Sequence, residues 1–559
     1  MDQEDSNVPV ITLQRDRFCS LIGRELSVEQ MARKLPWLGV DIEETGSDYV
    51  KIEFNPNRID FSSYAGVAKA FQGLMGWKTG LPQYEVNKGE IALNVNPAVF
   101  DVRPYVLAAT VRNLELNHDS IAELMEIQED IHWGIGRDRK KVSIGVHNLE
   151  NVKPPFVYTT ADPDAVRFVP LGKTEEMSLR EILDKHEKGI AYRHVVDGAT
   201  RYPLILDSDN RVLSFPPIIN GELTRVDEQT RNLFIEVTGS DQNAIMKGLN
   251  VLVTALADMG GTLESVQVKY QDRSVVSPDL TPQKMMLRTD HACKLLGLDL
   301  SEQRVRNCLM RCRLDAKRLD KGLLEVLIPA YRIDILHEVD LVEEAAIGYG
   351  YFRLKQTTPS TVATGEPHKS SRLANLVRQI MTGLGFTETL NFTLTNEDVH
   401  YEKMRKKPKR MIRLANPFSL EYSIIREDLL PGLIRNLADN KHESYPQQIF
   451  EVSDVMRIKE EAETRCERRL HVAAVSSYIN ANFTEVKSQV EALLANLGMA
   501  DWKIKEARHP SFFEGRTAAI YVGQKKIGSL GEVHPQILNN FQLENPACAF
   551  EMDLEEVSC

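Results

Sequence analysis

The sequence lacks any apolar stretch of the roughly 18 residues that a membrane-spanning helix needs, so no membrane association is expected. Residues 1–7 are acidic and polar, unlike the start of a secretory signal peptide. The seven cysteines are scattered and contain no Cys-x-x-Cys pair, which argues against a disulfide framework and against a zinc site. These absences predict a cytoplasmic protein with reduced thiols.

An excess of basic residues is also missing. The formal net charge is −12, whereas a protein that binds nucleic acid unaided usually has a basic balance. One dense basic run spans residues 404–411 and is interrupted by Pro408. It is either a solvated loop or a minor RNA contact, so strong RNA binding is expected to need a partner chain.

A chain of 559 residues is too long for one hydrophobic core. Helical and strand patterns alternate without a regular βαβ repeat, which predicts a multidomain α+β protein. We place the domain boundaries at residues 1–86, 87–270, 277–352 and 368–559. The second is predicted to be a mixed α+β domain and the third, with two short helices and a strand, a small winged-helix-like domain. In the fourth, residues 388–394 are predicted to form a strand and the glycine-containing run 528–535 a hairpin.

Four carboxylates stand close together near the end of the third domain. Residues 337–348 have the apolar spacing of a helix, which places Asp340, Glu343 and Glu344 on adjoining surface, and Asp334 precedes them. Acidic residues at a helix start can simply complement the helix dipole. Their mutual repulsion can also be relieved by a hard cation such as Mg²⁺, which prefers oxygen ligands. The spacing leaves both interpretations open.

A second group of polar residues surrounds an apolar, proline-containing segment, residues 213–222. Pro216 and Pro217 cannot pair in a central strand, so the chain is expected to bend there. A few polar groups around an apolar surface are typical of a small-molecule site, although an ordinary turn is the alternative. The predicted pocket residues are Leu204, Ser214, Asn220, Glu222, Glu236 and Thr238. No serine–histidine–acid or cysteine–histidine grouping accompanies them, so no covalent nucleophile is expected.

Several of these segments resemble the β subunit of phenylalanyl-tRNA synthetase in its archaeal and eukaryotic-cytosolic form. They are Y-R-I-D-I with E-V-D-L-V-E-E-A-A-I-G-Y-G-Y, then S-F-P-P-I-I-N-G-E, R-N-L-F-I-E-V-T and N-P-N-R-I-D-F. The resemblance implies that Asp334, Asp340, Glu343 and Glu344 bind Mg²⁺ near the junction with an α subunit. It also implies that the second domain hydrolyses tyrosine mischarged onto tRNA(Phe). Glu236 would then accept a hydrogen bond from the tyrosine hydroxyl.

The fourth domain resembles a class II synthetase antiparallel-sheet fold without its catalytic motifs. The signature Gly-x-Gly-x-Gly-x-Glu-Arg is absent, and Arg426 stands without the aromatic and basic partners it would need. The resemblance therefore implies an α₂β₂ heterotetramer in which the α subunit binds ATP and phenylalanine. Two alternatives remain open: a structural subunit with a decayed editing site, or an editing hydrolase that acts without a partner.

Overall fold

The computed structural model describes residues 8–358 and 364–557, which form two compact units, Met1–Thr357 and Thr358–Cys559. Both units combine helices with β-sheets, so the predicted α+β multidomain class is confirmed. The division into four domains stays a prediction. Within the described ranges, no helix has the length and apolar character that crossing a membrane requires.

The first unit begins with a three-stranded antiparallel sheet, in the order β1-β3-β2, which packs against three helices. Its elements are β1 (Val10–Gln14), α1 (Arg15–Ile22), α2 (Val28–Lys34), β2 (Asp41–Thr45), β3 (Tyr49–Glu53) and α3 (Tyr64–Leu74). Ser27 and Gln30 form a capping box that starts α2, since each side chain pairs with the other's backbone N–H. The buried face of each element contributes to one apolar core.

An eleven-stranded sheet dominates the middle of this unit. Its path is β13-β12-β11-β8-β5-β15-β6-β14-β7, with β4 and β16 also paired to β15. The strands are β4 (Val86–Asn87), β5 (Ala92–Val95), β6 (Tyr105–Arg112), β7 (Val142–Asn148), β8 (Phe156–Ala161), β9 (Arg167–Phe168), β10 (Met177–Ser178), β11 (Tyr202–Leu206), β12 (Val212–Phe215), β13 (Ile219–Asn220), β14 (Leu233–Gly239), β15 (Thr262–Lys269) and β16 (Ser274–Ser277), of which β9 and β10 form a separate ribbon. The helices are α4 (His118–Trp133), α5 (Leu179–Lys185), α6 (Glu187–Tyr192) and α7 (Gln242–Asp258). Helices α4 and α7 cover one sheet face with a large apolar core, and the opposite face carries a second core.

The end of the first unit is a small sheet with three helices around one core. Its strands, β17 (Gln283–Arg288), β18 (Asp315–Asp320) and β19 (Leu323–Ile328), pair in the order β17-β19-β18. Its helices are α8 (Thr289–Leu296), α9 (Glu302–Arg311) and α10 (Glu338–Tyr349). The acidic helix predicted over residues 337–348 is α10. The sequence indicated only one of the three strands.

The second unit is built on a seven-stranded sheet in the order β20-β23-β24-β28-β27-β26-β25. The strands of this unit are β20 (Thr387–Glu388), β21 (Leu394–Thr395), β22 (Ile424–Ile425), β23 (Gln447–Ile458), β24 (Cys466–Ser477), β25 (Trp502–Glu506), β26 (Phe512–Val522), β27 (Lys525–Val533) and β28 (Ala547–Asp553), of which β21 and β22 pair in a separate two-stranded sheet. Its helices are α11 (Lys369–Gly383), α12 (Leu430–Asp439), α13 (Phe483–Asn496) and α14 (Pro535–Asn540). Helices α11 and α13 cover one face, and α12 and α14 cover part of the other.

Two predicted elements of the second unit are wrong. Residues 388–394 do not form one strand, because the chain leaves the sheet after β20 and holds Leu390 and Phe392 in solvent. The run 528–535 is not a hairpin but mostly the straight strand β27, in which Gly528 and Gly531 leave space for neighbouring strands. A Cβ on Gly528 would lie 2.3 Å from the carbonyl oxygen of Glu551.

The core between the sheet and helices α11 and α13 should govern the stability of the second unit. Phe450 on β23 is fully buried there. Replacing Phe450 with alanine removes that packing and should cost about 3–5 kcal/mol of unfolding free energy. Urea denaturation of the full chain measures the loss. Ile479→Ala, at an exposed position, serves as the control and should change stability by no more than about 0.5 kcal/mol.

Candidate functional site

Strand β14 places Glu236 in a gap on one face of the large sheet. The residues opposite Glu236 are Ala108 on β6 and Gly145 on β7. Side chains directly opposite each other on neighbouring strands share a sheet face, so these small residues leave space around the carboxylate. Glu236 is nevertheless 2% exposed, which means that this space is closed to bulk solvent.

Only one oxygen of this buried carboxylate has a hydrogen-bond partner. The Ser214 hydroxyl, from β12, donates to Glu236 Oε1 over 3.0 Å. Glu236 Oε2 is buried and has no partner among the described residues. A buried acceptor without a donor costs about 1–3 kcal/mol, and more when it is charged. A ligand that donates a hydrogen bond to Oε2 would remove this penalty.

His147 on β7 presents a second unpaired polar atom at the same place. Its Nδ1 lies 2.8 Å from Thr224 Oγ1, and its Nε2 lies 3.8 Å from Glu236 Oε1. If the Thr224 hydroxyl donates to the Gly221 carbonyl, which lies 3.1 Å away, it accepts from His147 Nδ1–H. In that tautomer Nε2 is an acceptor, and it too lacks a partner among the described residues.

Gly145 leaves open the space between Glu236 Oε1 and His147 Nε2. A Cβ at this position would lie 2.4 Å from Glu236 Oε1 and 2.7 Å from His147 Nε2. Such distances are far inside van der Waals contact, so any other residue would fill the gap or displace both side chains.

A buried arginine places positive charge beside the site. Arg103 Nε donates to Thr238 Oγ1 over 2.9 Å, and its Nη2 donates to the Thr238 carbonyl over 2.8 Å. Burial lowers the pKa of Arg103 to about 10, and the nearby charge of Glu236 opposes that shift. Arg103 therefore stays cationic at neutral pH and holds the end of β14.

A second arginine fixes the proline-containing segment over the site. Arg139 Nη1 donates to the carbonyls of Pro217 and Ile218, at 3.2 and 3.1 Å. Arg137, Asp138 and Arg139 all have positive φ, at 45°, 55° and 62°. Three consecutive non-glycine residues in this region cost conformational energy, and such strain concentrates at functional sites.

The structure brings some predicted pocket residues together and leaves others apart. Ser214, Glu236 and Thr238 lie on the site as described, and Asn220 Nδ2 donates to the carbonyl of Val146 over 3.2 Å, beside His147. Leu204 packs in one apolar cluster with Phe215 and Ile218, so it extends the apolar surface of the proline-containing segment. Glu222 faces outward, where it accepts from Gly172 N–H at 2.7 Å and pairs with Arg225 at 3.1 Å.

The sequence interpretation missed His147, Gly145 and both arginines. A signal for the first two was present, because residues 141–147 (K-V-S-I-G-V-H) alternate as a strand that places Gly145 and His147 on one face. A glycine within a strand often marks close approach of another group. No comparable signal identifies Arg103 or Arg139, which are distant from β14 in sequence.

The predicted metal cluster contains a protein cation. Arg332 Nη2 lies 2.6 Å from Asp334 Oδ2 and 2.6 Å from Glu344 Oε1. Burial raises the pKa of Asp334, but the charge and hydrogen bonds of Arg332 outweigh this and lower it to about 2. Two of the four carboxylates are thus already paired with Arg332.

The other two carboxylates point elsewhere. Asp340 Oδ2 accepts from the backbone N–H groups of Leu336 and His337, both at 2.7 Å, and so caps α10. Glu343 is exposed. Among the described residues, no three acidic, histidine or cysteine side chains are grouped so that they could hold a metal ion. The side chains as placed do not fit Mg²⁺, and its binding here stays a prediction.

Removing Arg332 should strongly destabilise the first unit, because Asp334 and Glu344 would lose their partner. Replacing Arg332 with methionine leaves two buried carboxylates unpaired and should cost about 3–5 kcal/mol, measured by urea denaturation. The pKa of Asp334 is lowered from 3.8, so its share of the stability is present above about pH 4 and is lost as the pH falls toward 2. Glu343→Gln, which changes an exposed carboxylate, is the control. A stable Arg332→Met variant would contradict the assignment.

Comparison with known families covers almost the whole chain. Residues 354–554 match the phenylalanyl-tRNA synthetase beta chain CLM domain, residues 285–351 the tRNA synthetase B5 domain, and residues 102–252 the B3/4 domain. The phenylalanine–tRNA ligase beta subunit of Methanothrix thermoacetophila is 44% identical over 550 residues, covering 98% of this chain and 100% of that protein. The beta subunit of Methanocaldococcus jannaschii is 40% identical over 553 residues, with 98% and 100% covered.

A solved structure supports the same conclusion for the first unit. The N-terminal fragment of the phenylalanyl-tRNA synthetase beta subunit from Pyrococcus horikoshii is 38% identical, with a TM-score of 0.59. The match covers 61% of this chain and 99% of that fragment. The chain therefore belongs to the phenylalanine–tRNA ligase beta-subunit family.

Proposed function

We propose that this chain is the cytoplasmic β subunit of an α₂β₂ phenylalanine–tRNA ligase and that its first unit hydrolyses tyrosine mischarged onto tRNA(Phe). The α subunit carries the ATP and phenylalanine sites. The observation that carries the editing proposal is the pair of unpaired buried acceptors, Glu236 Oε2 and His147 Nε2. A hydroxyl group can donate its single hydrogen to Glu236 Oε2, for which the described residues supply no donor.

Tyrosine is proposed as the amino acid removed because it differs from phenylalanine by one hydroxyl group. An apolar pocket for phenylalanine rejects an isostere with one added hydroxyl by only about 10²-fold, so a second site is needed to correct errors. The tyrosine hydroxyl donates to Glu236, whereas phenylalanine would leave the buried acceptors unpaired. A site that hydrogen-bonds a substrate hydroxyl discriminates strongly against the analogue that lacks it.

The arrangement supports hydrolysis by a positioned water. No serine or cysteine nucleophile paired with a histidine lies at the site, so a water held by polar side chains attacks the ester carbonyl. Arg103 supplies buried positive charge close to Glu236.

The contacts of Arg426 support the proposal that the second unit takes no catalytic part in amino-acid activation. Arg426 Nη1 lies 2.8 Å from Glu451 Oε1, and its Nε donates to the Asp454 carbonyl over 3.1 Å. The arginine that could have held a phosphate is therefore engaged inside the protein.

An exposed apolar patch, formed by Leu390, Phe392, Phe418 and Leu420, is the proposed contact with the α subunit. Phe392 is 77% exposed, and its ring lies 5.6 Å from that of Tyr422, which joins the two loops. Apolar side chains this exposed in neighbouring loops are typical of protein interfaces.

The editing proposal is tested by replacing Glu236 with alanine. Hydrolysis of tyrosyl-tRNA(Phe) by the α–β complex should fall about ten- to a hundredfold, because a hydrogen bond to a charged group is lost. Phenylalanine charging should stay nearly unchanged. Glu222→Ala is the matched control, since it removes a carboxylate of the same domain that faces away from the site. Equal deacylation by both variants would move the site elsewhere.

The same assay separates the alternatives. Absence of hydrolysis by the unmodified complex would indicate a structural subunit with a decayed site. Full hydrolysis by the chain without its partner would indicate an independent hydrolase.

The interface proposal is tested with Leu390→Asp combined with Phe392→Asp. Charges placed in a buried apolar contact should weaken co-purification with the α subunit at least tenfold, while the thermal unfolding of the isolated chain is unchanged. Ile479→Asp is the control, because Ile479 is also 77% exposed but lies on another loop. If the double variant still assembles fully, the patch is not the contact.

A further inference from the structure

A cavity of about 330 Å³ lies in the second unit, on the sheet face that α12 covers only in part. Strands β23, β24, β27 and β28 form its floor, and Lys406 of the basic run 404–411 reaches its wall. The volume falls in the range of small-molecule sites. The cavity shares no residue with the site around Glu236, so a ligand bound in it would be independent of the proposed editing function.

Every carboxylate that lines this cavity is already paired with a protein cation. The pairs are Asp428 with Lys406 at 2.6 Å, Glu551 with His471 at 2.8 Å, Asp553 with Arg469 at 2.8 Å, and Glu556 with both Arg469 and Lys525. Glu551 also accepts from the N–H groups of Leu429 and Leu430, at 3.0 Å each, where α12 begins. The negative charge of these carboxylates is therefore offset within the protein, and little of it is left to attract a ligand cation.

Two cations of the lining have no such partner. Within the described part of the chain, neither Arg457 nor Lys526 forms an ion pair with a carboxylate, although both border the cavity. Arg457 Nη2 instead lies 3.4 Å from His471 Nε2.

The contact between Arg457 and His471 brings two positive charges together. Burial lowers the pKa of His471, but its contacts with Asp553 and Glu551 outweigh burial and raise it to about 9. His471 is therefore cationic at neutral pH. Glu551 and Asp553 offset the charge of His471, whereas no carboxylate among the described residues pairs with Arg457.

We propose that this cavity binds a phosphate-bearing small molecule, whose phosphate is held by Arg457 and Lys526 and lies against His471. A phosphate group carries close to two negative charges at neutral pH, which matches the two unpaired cations. The planar guanidinium of Arg457 can donate two parallel hydrogen bonds to phosphate oxygens. A single carboxylate would neutralise only one of the two charges.

The wall of the cavity also carries two aromatic rings. The rings of His509 and Phe512 lie 4.9 Å apart and are tilted by 38°, and both border the cavity. The phosphate can therefore belong to inorganic pyrophosphate or to a nucleotide whose base rests on these rings. Both ligands share the phosphate chemistry, and the experiment distinguishes them.

Binding is measured by isothermal titration of the full chain, purified without the α subunit, with pyrophosphate and separately with ATP at low ionic strength. We expect saturable binding of one ligand per chain. Arg457→Ala and Lys526→Ala should each weaken it about tenfold or more, since each removes a charged contact. Lys505→Ala is the control, because Lys505 is an exposed cation on the edge strand β25, outside the cavity.

The outcomes decide the proposal. Tighter binding of ATP than of pyrophosphate assigns a nucleotide, and equal or weaker binding of ATP assigns the inorganic anion. No saturable binding of either ligand overturns the proposal, as does equal binding by Arg457→Ala, Lys526→Ala and the Lys505→Ala control. Arg457 and Lys526 are exposed, so their variants should keep the thermal unfolding of the unmodified chain, which verifies that a loss of binding is local.

Discussion

The register of β14 between β6 and β7 is the constraint on which the candidate editing site depends. All seven residues of this strand are buried, and its side chains alternate between the helix-covered core and the opposite face. A shift by one residue would place Glu236 in the apolar core and Ile235 or Val237 in the polar gap. Leu233, Ile235 and Val237 prevent that shift, because they fill the core under α4 and α7. The apolar pattern thereby positions the carboxylate.

Both units contain buried arginines. Arg332 and Arg426 are each held by buried carboxylates, and Arg103 is held by Thr238 instead. Removing one partner of such a group leaves an uncompensated charge or acceptor, which is strongly destabilising. Pairing is incomplete at Glu236 with His147 and at Arg457 with Lys526, which are the two places where a ligand is proposed. In both, the protein leaves polar groups that a ligand can satisfy.

Local patterns predicted many elements correctly. The acidic helix α10 lies within one residue of the predicted range 337–348, and the alternation of residues 141–147 matches β7 within one residue. The predicted strand over residues 388–394 failed because its apolar residues, Leu390 and Phe392, remain exposed. Periodicity reports only that a residue is apolar, and it cannot distinguish burial in a core from exposure on a contact surface.

The sequence by itself determined the α+β class, the family, and the proline-containing bend beside Ser214. These depend on local order, on motif wording and on residues close together in the chain. Only the tertiary structure decided that His147 faces Glu236, that Arg332 lies among the acidic residues predicted to bind Mg²⁺, and that Arg457 lies against His471. Each of these depends on how strands or turns are placed in space. Strand pairing and burial, which local spacing does not encode, bring the charges together and decide which of them remain unpaired.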